Sequence, residues 1–161
     1  KDYRLRFSAM KSNHNRKFLL LKRIDKMLGK NLKNKKITFL GVTFKPNTDD
    51  MRDAVSLYMI PHLHKRKAII SYYDPTGEKK EFSKLKNCNY FPDIKVACKN
   101  ANLVILHTEW DEFKFFDFKK IFKNKKFTLY DLRNLYSPAQ MKKKKIKYFS
   151  IGRPNINLLQ K

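Results

Sequence analysis

The sequence predicts an α/β fold, a doubly wound and mostly parallel sheet of six strands preceded by a long amino-terminal helix. Three observations support it. Short runs rich in β-branched and aromatic residues alternate with helical stretches along most of the 161 residues, the pattern of parallel strands joined by right-handed crossovers. The run Leu103-Val104-Ile105-Leu106 is apolar at every position, as a strand covered on both faces requires. The apolar run Ile37 to Leu40 ends in Gly41 and passes at once into polar residues, which marks the carboxyl edge of the sheet, where open α/β sheets bind ligands. The expected class is Rossmann-like.

The elements follow in order. From about Phe7 to Leu28, residues Phe18, Leu21, Ile24 and Leu28 recur at helical spacing and Gly29 supplies a terminator. Strands are expected near 36–41, 68–73, 88–91, 102–107, 126–130 and 146–151, and helices near 52–66, 78–86, 93–100, 114–123 and 138–144. Asp74-Pro75-Thr76-Gly77 is a turn by its chemistry. Pro61 conflicts with the helix over 52–66, since an interior proline costs ~3 kcal/mol or forces a kink. That helix should be bent or shorter.

Composition excludes several classes. Hydrophobic residues make up 42% and are spread along the chain, so a domain of this length can bury a core despite its charge. No apolar run approaches the ~20 residues needed to cross a bilayer, and no charged-then-apolar leader opens the sequence; a soluble, cytoplasmic chain is expected. Cys88 and Cys98 lie outside any C-x-x-C pair, and His14, His62, His64 and His107 form no ligand cluster, so neither a metal site nor a disulfide is expected. The net charge of +24 (38 − 14) raises nucleic acid or an acidic membrane as partners. The lysines are dispersed, however, and the runs at 33–36 and 142–145 read as solvated loops and helix ends, where cations offset the helix dipole. Neither partner is the expected one.

The chemistry-bearing segment is Gly41-Val42-Thr43-Phe44-Lys45-Pro46-Asn47-Thr48-Asp49-Asp50-Met51-Arg52-Asp53. Lys45 and Arg52 place two permanent positive charges at the carboxyl edge, so the expected ligand is an anion. With only four glycines, the chain has no G-x-G-x-x-G turn, and side chains rather than a glycine cradle must hold it. Taken on residue type alone, Phe44 would be a core residue, Lys45 solvated, Thr48, Asp49 and Asp50 caps for a helix opened by Arg52, and Glu109, Trp110 and Asp111 packing pieces.

That segment resembles a known family, the nucleotide-sugar dehydrogenases, whose third domain opens with a strand followed by G-x-x-F-K-P-N-T-D-D-M-R-E. Only Asp53 differs, standing where the family has glutamate. His107-Thr108-Glu109-Trp110-Asp111-Glu112-Phe113 is similar to the family's T-E-W-D-x-F, and Asp131-Leu132-Arg133-Asn134 to its D-G-R-N. The likeness runs from about Phe7 to Arg153 and looks most like the branch that oxidises UDP-glucose; branches acting on GDP-mannose or UDP-N-acetylmannosamine share the fold.

The resemblance implies a division into residues 1–34, the end of a central-domain or interdomain helix; 35–153, a UDP-sugar-binding domain; and 154–161, a tail. It implies that Phe44, Lys45 and Arg133 contact the UDP-sugar (UDP-glucose or its oxidised product, UDP-glucuronate) and that Arg52 reaches NAD bound mainly by a separate amino-terminal domain. The other partners it implies are that domain, a central domain, and a second copy joined through the central helix. The family oxidises UDP-glucose with NAD through a cysteine in a glycine-rich segment that has no counterpart here, so this chain by itself should lack turnover. Leu132 replaces a family glycine, which is expected to add roughly 1–3 kcal/mol of strain or to crowd the pocket. Two other readings stay open, a basic binding module without enzymatic purpose and a truncated remnant.

Overall fold

The computed structural model describes residues 2–122 and 126–156, with side chains from residue 15 onward. Helix α1 (Asp2–Leu28) leads into six strands: β1 (Lys36–Leu40), β2 (Ile69–Tyr73), β3 (Cys88–Tyr90), β4 (Leu103–Leu106), β5 (Thr128–Asp131) and β6 (Lys147–Ser150). They form one sheet in the order β3-β2-β1-β4-β5-β6. Every adjacent pair runs parallel, so the expected doubly wound, Rossmann-like sheet is present, and all its pairings between named strands are parallel. The order reverses direction between β1 and β4, the switch point where the loops of such sheets diverge and leave a crevice.

Burial explains the order. The central strands β4 and β5 are buried at every residue and β1 at all but its first, whereas β2 and β6 alternate between buried and half-buried positions. One core, built on Ile37, Phe39, Ile70, Tyr72, Leu103, Ile105 and Tyr130, packs under α1 through Leu21, Ile24 and Met27 and under α2 (Ser56–Lys65) through Met59, Ile60 and Leu63. The other face, built on Leu40, Val104, Leu106, Leu129 and Tyr148, is covered by Phe113, Phe118, Phe122 and Met141. These come from α4 (Asp111–Lys114), α5 (Phe118–Phe122) and α6 (Pro138–Lys143); the short α3 (Ile94–Ala97) precedes them. An ion pair between Arg66 and Asp25, 2.6 Å, fastens α1 to the end of α2.

Several helices are shorter than their sequence patterns suggest. The one expected over 52–66 begins at Ser56, because Asp53 sits at φ 61, a left-handed conformation that no α-helix contains. It nevertheless runs through Pro61 to Lys65. The stretch 78–86 holds only a 3₁₀ turn, Lys80–Phe82, whose one buried residue is Phe82; a single apolar anchor gives a longer helix no face to bury. The helix expected over 93–100 stops at Ala97, and Asn100 follows at φ 62. The stretch 114–123 divides into α4 and α5, and its last residue, like residues 157–161 of the tail, lies outside the described ones. The tail begins by returning to the sheet: Ile156 pairs antiparallel with Tyr148 at the edge.

Of the four glycines, Gly41 is the one whose surroundings leave no room for a side chain. It adopts φ +70, and a Cβ there would lie 2.6 Å from Thr108 Cβ, so both conformation and space require glycine. Gly41→Ala is expected to lower the unfolding free energy by at least about 2 kcal/mol, read from urea denaturation; an unchanged midpoint would contradict this packing.

Candidate functional site

The carboxyl ends of β1, β4 and β5 meet at the switch point, and buried polar side chains hold their loops in place. Asp74, fully buried after β2, accepts a hydrogen bond from Val42 N at 2.8 Å, and its other oxygen accepts from Thr76 N at 3.0 Å. Lys79, itself buried, lies 3.7 Å from the same carboxylate. An acid at the end of the second strand is where a dinucleotide-binding sheet grips the ribose. Here its oxygens are taken up by the chain's own backbone, which agrees with the absence of a glycine cradle.

His107 occupies the gap between β4 and α2. Its Nε2 accepts from Ser56 N at 2.9 Å, its Nδ1 lies 2.9 Å from Thr108 Oγ1, and that hydroxyl donates to Thr43 O at 2.7 Å. Acceptance at Nε2 places the proton on Nδ1 and fixes one neutral tautomer. The imidazole therefore caps α2. Thr48, Asp49 and Asp50, expected in that role, do not: the residue before α2 is Val55, without a side-chain cap. Burial first, and the nearby Arg133 charge second, hold the His107 pKa down at about 3.

The D-L-R-N segment builds a turn residue by residue. Asp131, fully buried, accepts from Arg133 N at 2.9 Å with one oxygen, and with the other from Tyr136 N at 3.0 Å and the Tyr148 hydroxyl at 2.9 Å. Asn134, at φ 56, exchanges two hydrogen bonds with the Ile151 backbone. Between them Arg133 reaches back across the sheet end. Its Nε donates to His107 O at 2.8 Å and its Nη2 to Phe44 O at 3.0 Å, so one guanidinium ties the loops after β1, β4 and β5 together.

The result is a cleft of about 660 Å³ at the switch point. Phe44, Lys45 and Arg133, three of the four site residues expected from sequence, line it together, with Glu109, Leu132 and, from α1, Lys17. Phe44 is not a core residue, since 48% of it is exposed. Arg52 lies outside this cleft. Its side chain is 89% exposed and bidentate to Asp50 at 2.8–3.2 Å, and that contact brings the Asp50 pKa down to about 2. Leu132 lines the cleft but is not among the described residues with positive φ, so the strain expected from replacing a glycine is not present.

Sequence reasoning missed two residues. Residue type makes Glu109 a packing piece, yet its Oε2 lies 2.9 Å from Arg133 Nε. His107 looks isolated in the sequence, and the signal for its role is its place directly after a strand apolar at every position. Among the described residues no cluster of metal-ligating side chains exists, and none of the helices is long and apolar enough to cross a membrane. A second hollow of about 570 Å³, flanked by Phe115 and Lys120, shares no lining residue with this cleft.

Comparison with known proteins agrees with this architecture. Residues 38–138 match the family described as "UDP-glucose/GDP-mannose dehydrogenase family, UDP binding domain". A UDP-glucose 6-dehydrogenase of Rhizobium meliloti (strain 1021) is 35% identical over 144 residues, which cover 89% of this chain and 33% of that protein. The enzyme of that name from Rickettsia felis is 31% identical over 154 residues, or 94% and 34%. The chain thus spans about a third of the length of these relatives. Among solved structures, a UDP-glucose dehydrogenase from the hyperthermophilic archaeon Pyrobaculum islandicum superposes with a TM-score of 0.70 at 22% identity, over 88% of this chain and 30% of that one, a likeness of fold.

Because folding depresses the His107 pKa, the neutral ring's contribution is complete above the unfolded value of about 6.5 and is lost as pH falls from there toward 3. Between pH 6 and 4.5 stability should fall by up to about 1.4 kcal/mol per pH unit beyond the loss shown by His107→Gln, whose amide oxygen can still accept from Ser56 N. Urea midpoints across that range test it; parallel profiles for the two proteins would refute it.

Proposed function

We propose that this chain, which belongs to the UDP-glucose/GDP-mannose dehydrogenase family as its UDP binding domain, binds a UDP-sugar in the cleft where β1, β4 and β5 end. The observation that carries the reading is the convergence of Lys45, Arg133 and an exposed Phe44 on one cleft. Lys45 supplies a point charge to the diphosphate, and its flexible stem lets it follow either phosphate. Arg133 is anchored through Nε and Nη2, so Nη1 can meet the ligand from a fixed position and little conformational freedom is lost on binding. The half-exposed Phe44 ring offers a face to the uracil or the sugar. Relatives named for UDP-glucose favour that sugar over the GDP-mannose and UDP-N-acetylmannosamine alternatives.

The complete enzyme would oxidise UDP-glucose to UDP-glucuronate with NAD, feeding polysaccharide biosynthesis in the cytoplasm, where two free thiols such as Cys88 and Cys98 stay reduced. In this reading α1 joins the domain to a central one and carries the homodimer contact. The outward-facing Arg52, paired with Asp50, would then meet NAD on a neighbouring domain. The nucleophilic thiol comes from elsewhere, since Cys88 and Cys98 line none of the cleft and burial pushes both pKa values up to about 12; thiols so protonated are poor nucleophiles.

Calorimetry with UDP should show binding by the 161-residue chain, weakened about tenfold or more by Lys45→Ala and by Arg133→Ala and weakened by salt. No heat with the unaltered chain would refute the reading. In an absorbance assay with UDP-glucose and NAD, the chain alone should form no NADH; turnover would show that it carries a catalytic thiol of its own.

A further inference from the structure

One carboxylate oxygen in the cleft is without a hydrogen-bond donor. Glu109 follows β4 and shares the cleft with Lys45 and Arg133. Although its side chain is 38% exposed, its Oε2 is screened from solvent and accepts no hydrogen bond. Arg133 Nε is only 2.9 Å away, but that N–H is directed at the His107 carbonyl, 2.8 Å from it. The guanidinium neutralises the carboxylate without filling its lone pairs. A shielded carboxylate oxygen in this state calls for a donor, and none of the described residues supplies one.

We propose that Glu109 is a ligand-contacting residue whose Oε2 accepts a hydrogen bond from a sugar hydroxyl of a nucleoside diphosphate while Arg133 holds the neighbouring phosphate. The inference rests on the UDP-sugar reading given above. Geometry selects the donor. Since Oε2 lies 2.9 Å from Arg133 Nε, and a donor on Oε2 and a phosphate on Nη1 of that guanidinium each add a hydrogen-bond length of about 2.9 Å, the missing donor belongs to a ligand group within about 11 Å of that phosphate. Sugar hydroxyls flank a diphosphate on both sides and are the nearest donors to it, whereas the base lies beyond the ribose. The ribose and the hexose offer the same chemistry, and a set of three ligands separates them. Lys45, with no acceptor lone pair, cannot substitute for Glu109 here.

The test is calorimetry of the 161-residue chain and of its Glu109→Ala variant with UDP, 2′,3′-dideoxy-UDP and UDP-glucose, each protein first shown by thermal unfolding to be folded. Glu109→Gln, which keeps the size of the side chain and one acceptor, serves as the second variant. A ribose donor predicts that the unaltered chain binds dideoxy-UDP about tenfold or more weakly than UDP, and that Glu109→Ala removes this difference. A hexose donor predicts equal binding of UDP and dideoxy-UDP, tighter binding of UDP-glucose by a similar factor, and loss of that gain in Glu109→Ala. Glu109→Gln should keep part of the discrimination in either case. If Glu109→Ala shifts all three affinities by one common factor, or none, the carboxylate acts only through Arg133 or not at all, and this inference fails while the UDP-sugar reading stands. If the unaltered chain binds none of the three, both fail.

Discussion

A neutral imidazole, buried between the end of one strand and the start of a helix, is the constraint on which the carboxyl edge depends. His107 accepts from the first helical amide of α2 and sits 2.9 Å from Thr108 Oγ1, which donates to the carbonyl preceding Phe44. Its own carbonyl then receives Arg133. Three loops that sequence separates by dozens of residues are registered against one another through a single ring and its backbone. The arrangement works only while the ring is uncharged, because a proton on Nε2 would face the Ser56 amide donor to donor. His107 is 2% exposed, and burial makes such a mismatch costly.

The second feature of this edge is what it has given up. A doubly wound sheet with the order found here commonly binds a dinucleotide through a glycine turn and an acid after the second strand. This chain keeps the sheet, the switch point and the acid, but Asp74 faces inward to Val42 and Thr76, with Lys79 beside it. The loop after β1 is thereby fastened down instead of opening to a pyrophosphate. In the proposed reading, recognition falls instead to projecting side chains, with Lys45 and Phe44 on that loop and Arg133 across from them. A guanidinium held by two carbonyls is a fixed donor that also carries a full charge.

Much of the fold was legible because strands buried on both faces leave an unmistakable record: the all-apolar run at 103–106 and the glycine closing β1 fixed the class and the edge. Phe44, Lys45 and Arg133 were legible as a set only through the family resemblance, for nothing in residue type tells an exposed phenylalanine from a core one. Helix limits were the least legible. Asp53, Asn100 and Lys67 adopt positive φ, and none is glycine, so the sequence carried no sign that the chain would turn there. The 3₁₀ turn near Phe82 escaped for a different reason, since helical propensity was present but only one residue had a core to enter. Glu109 was missed because its partner lies twenty-four positions away, on another strand end, and pairing across a sheet leaves no periodic trace.

Part of the cleft wall comes from α1 through Lys17 and Leu20, and α1 is a helix of 27 residues, roughly 40 Å long at 1.5 Å per residue. Below the cleft it is clamped by Leu21, Ile24 and the Arg66–Asp25 pair. A molecule seated against the upper wall would press on a lever whose fulcrum is that clamp. A tilt of a few degrees about that clamp would sweep the amino-terminal tip of the helix, about twenty residues away, through an ångström or more.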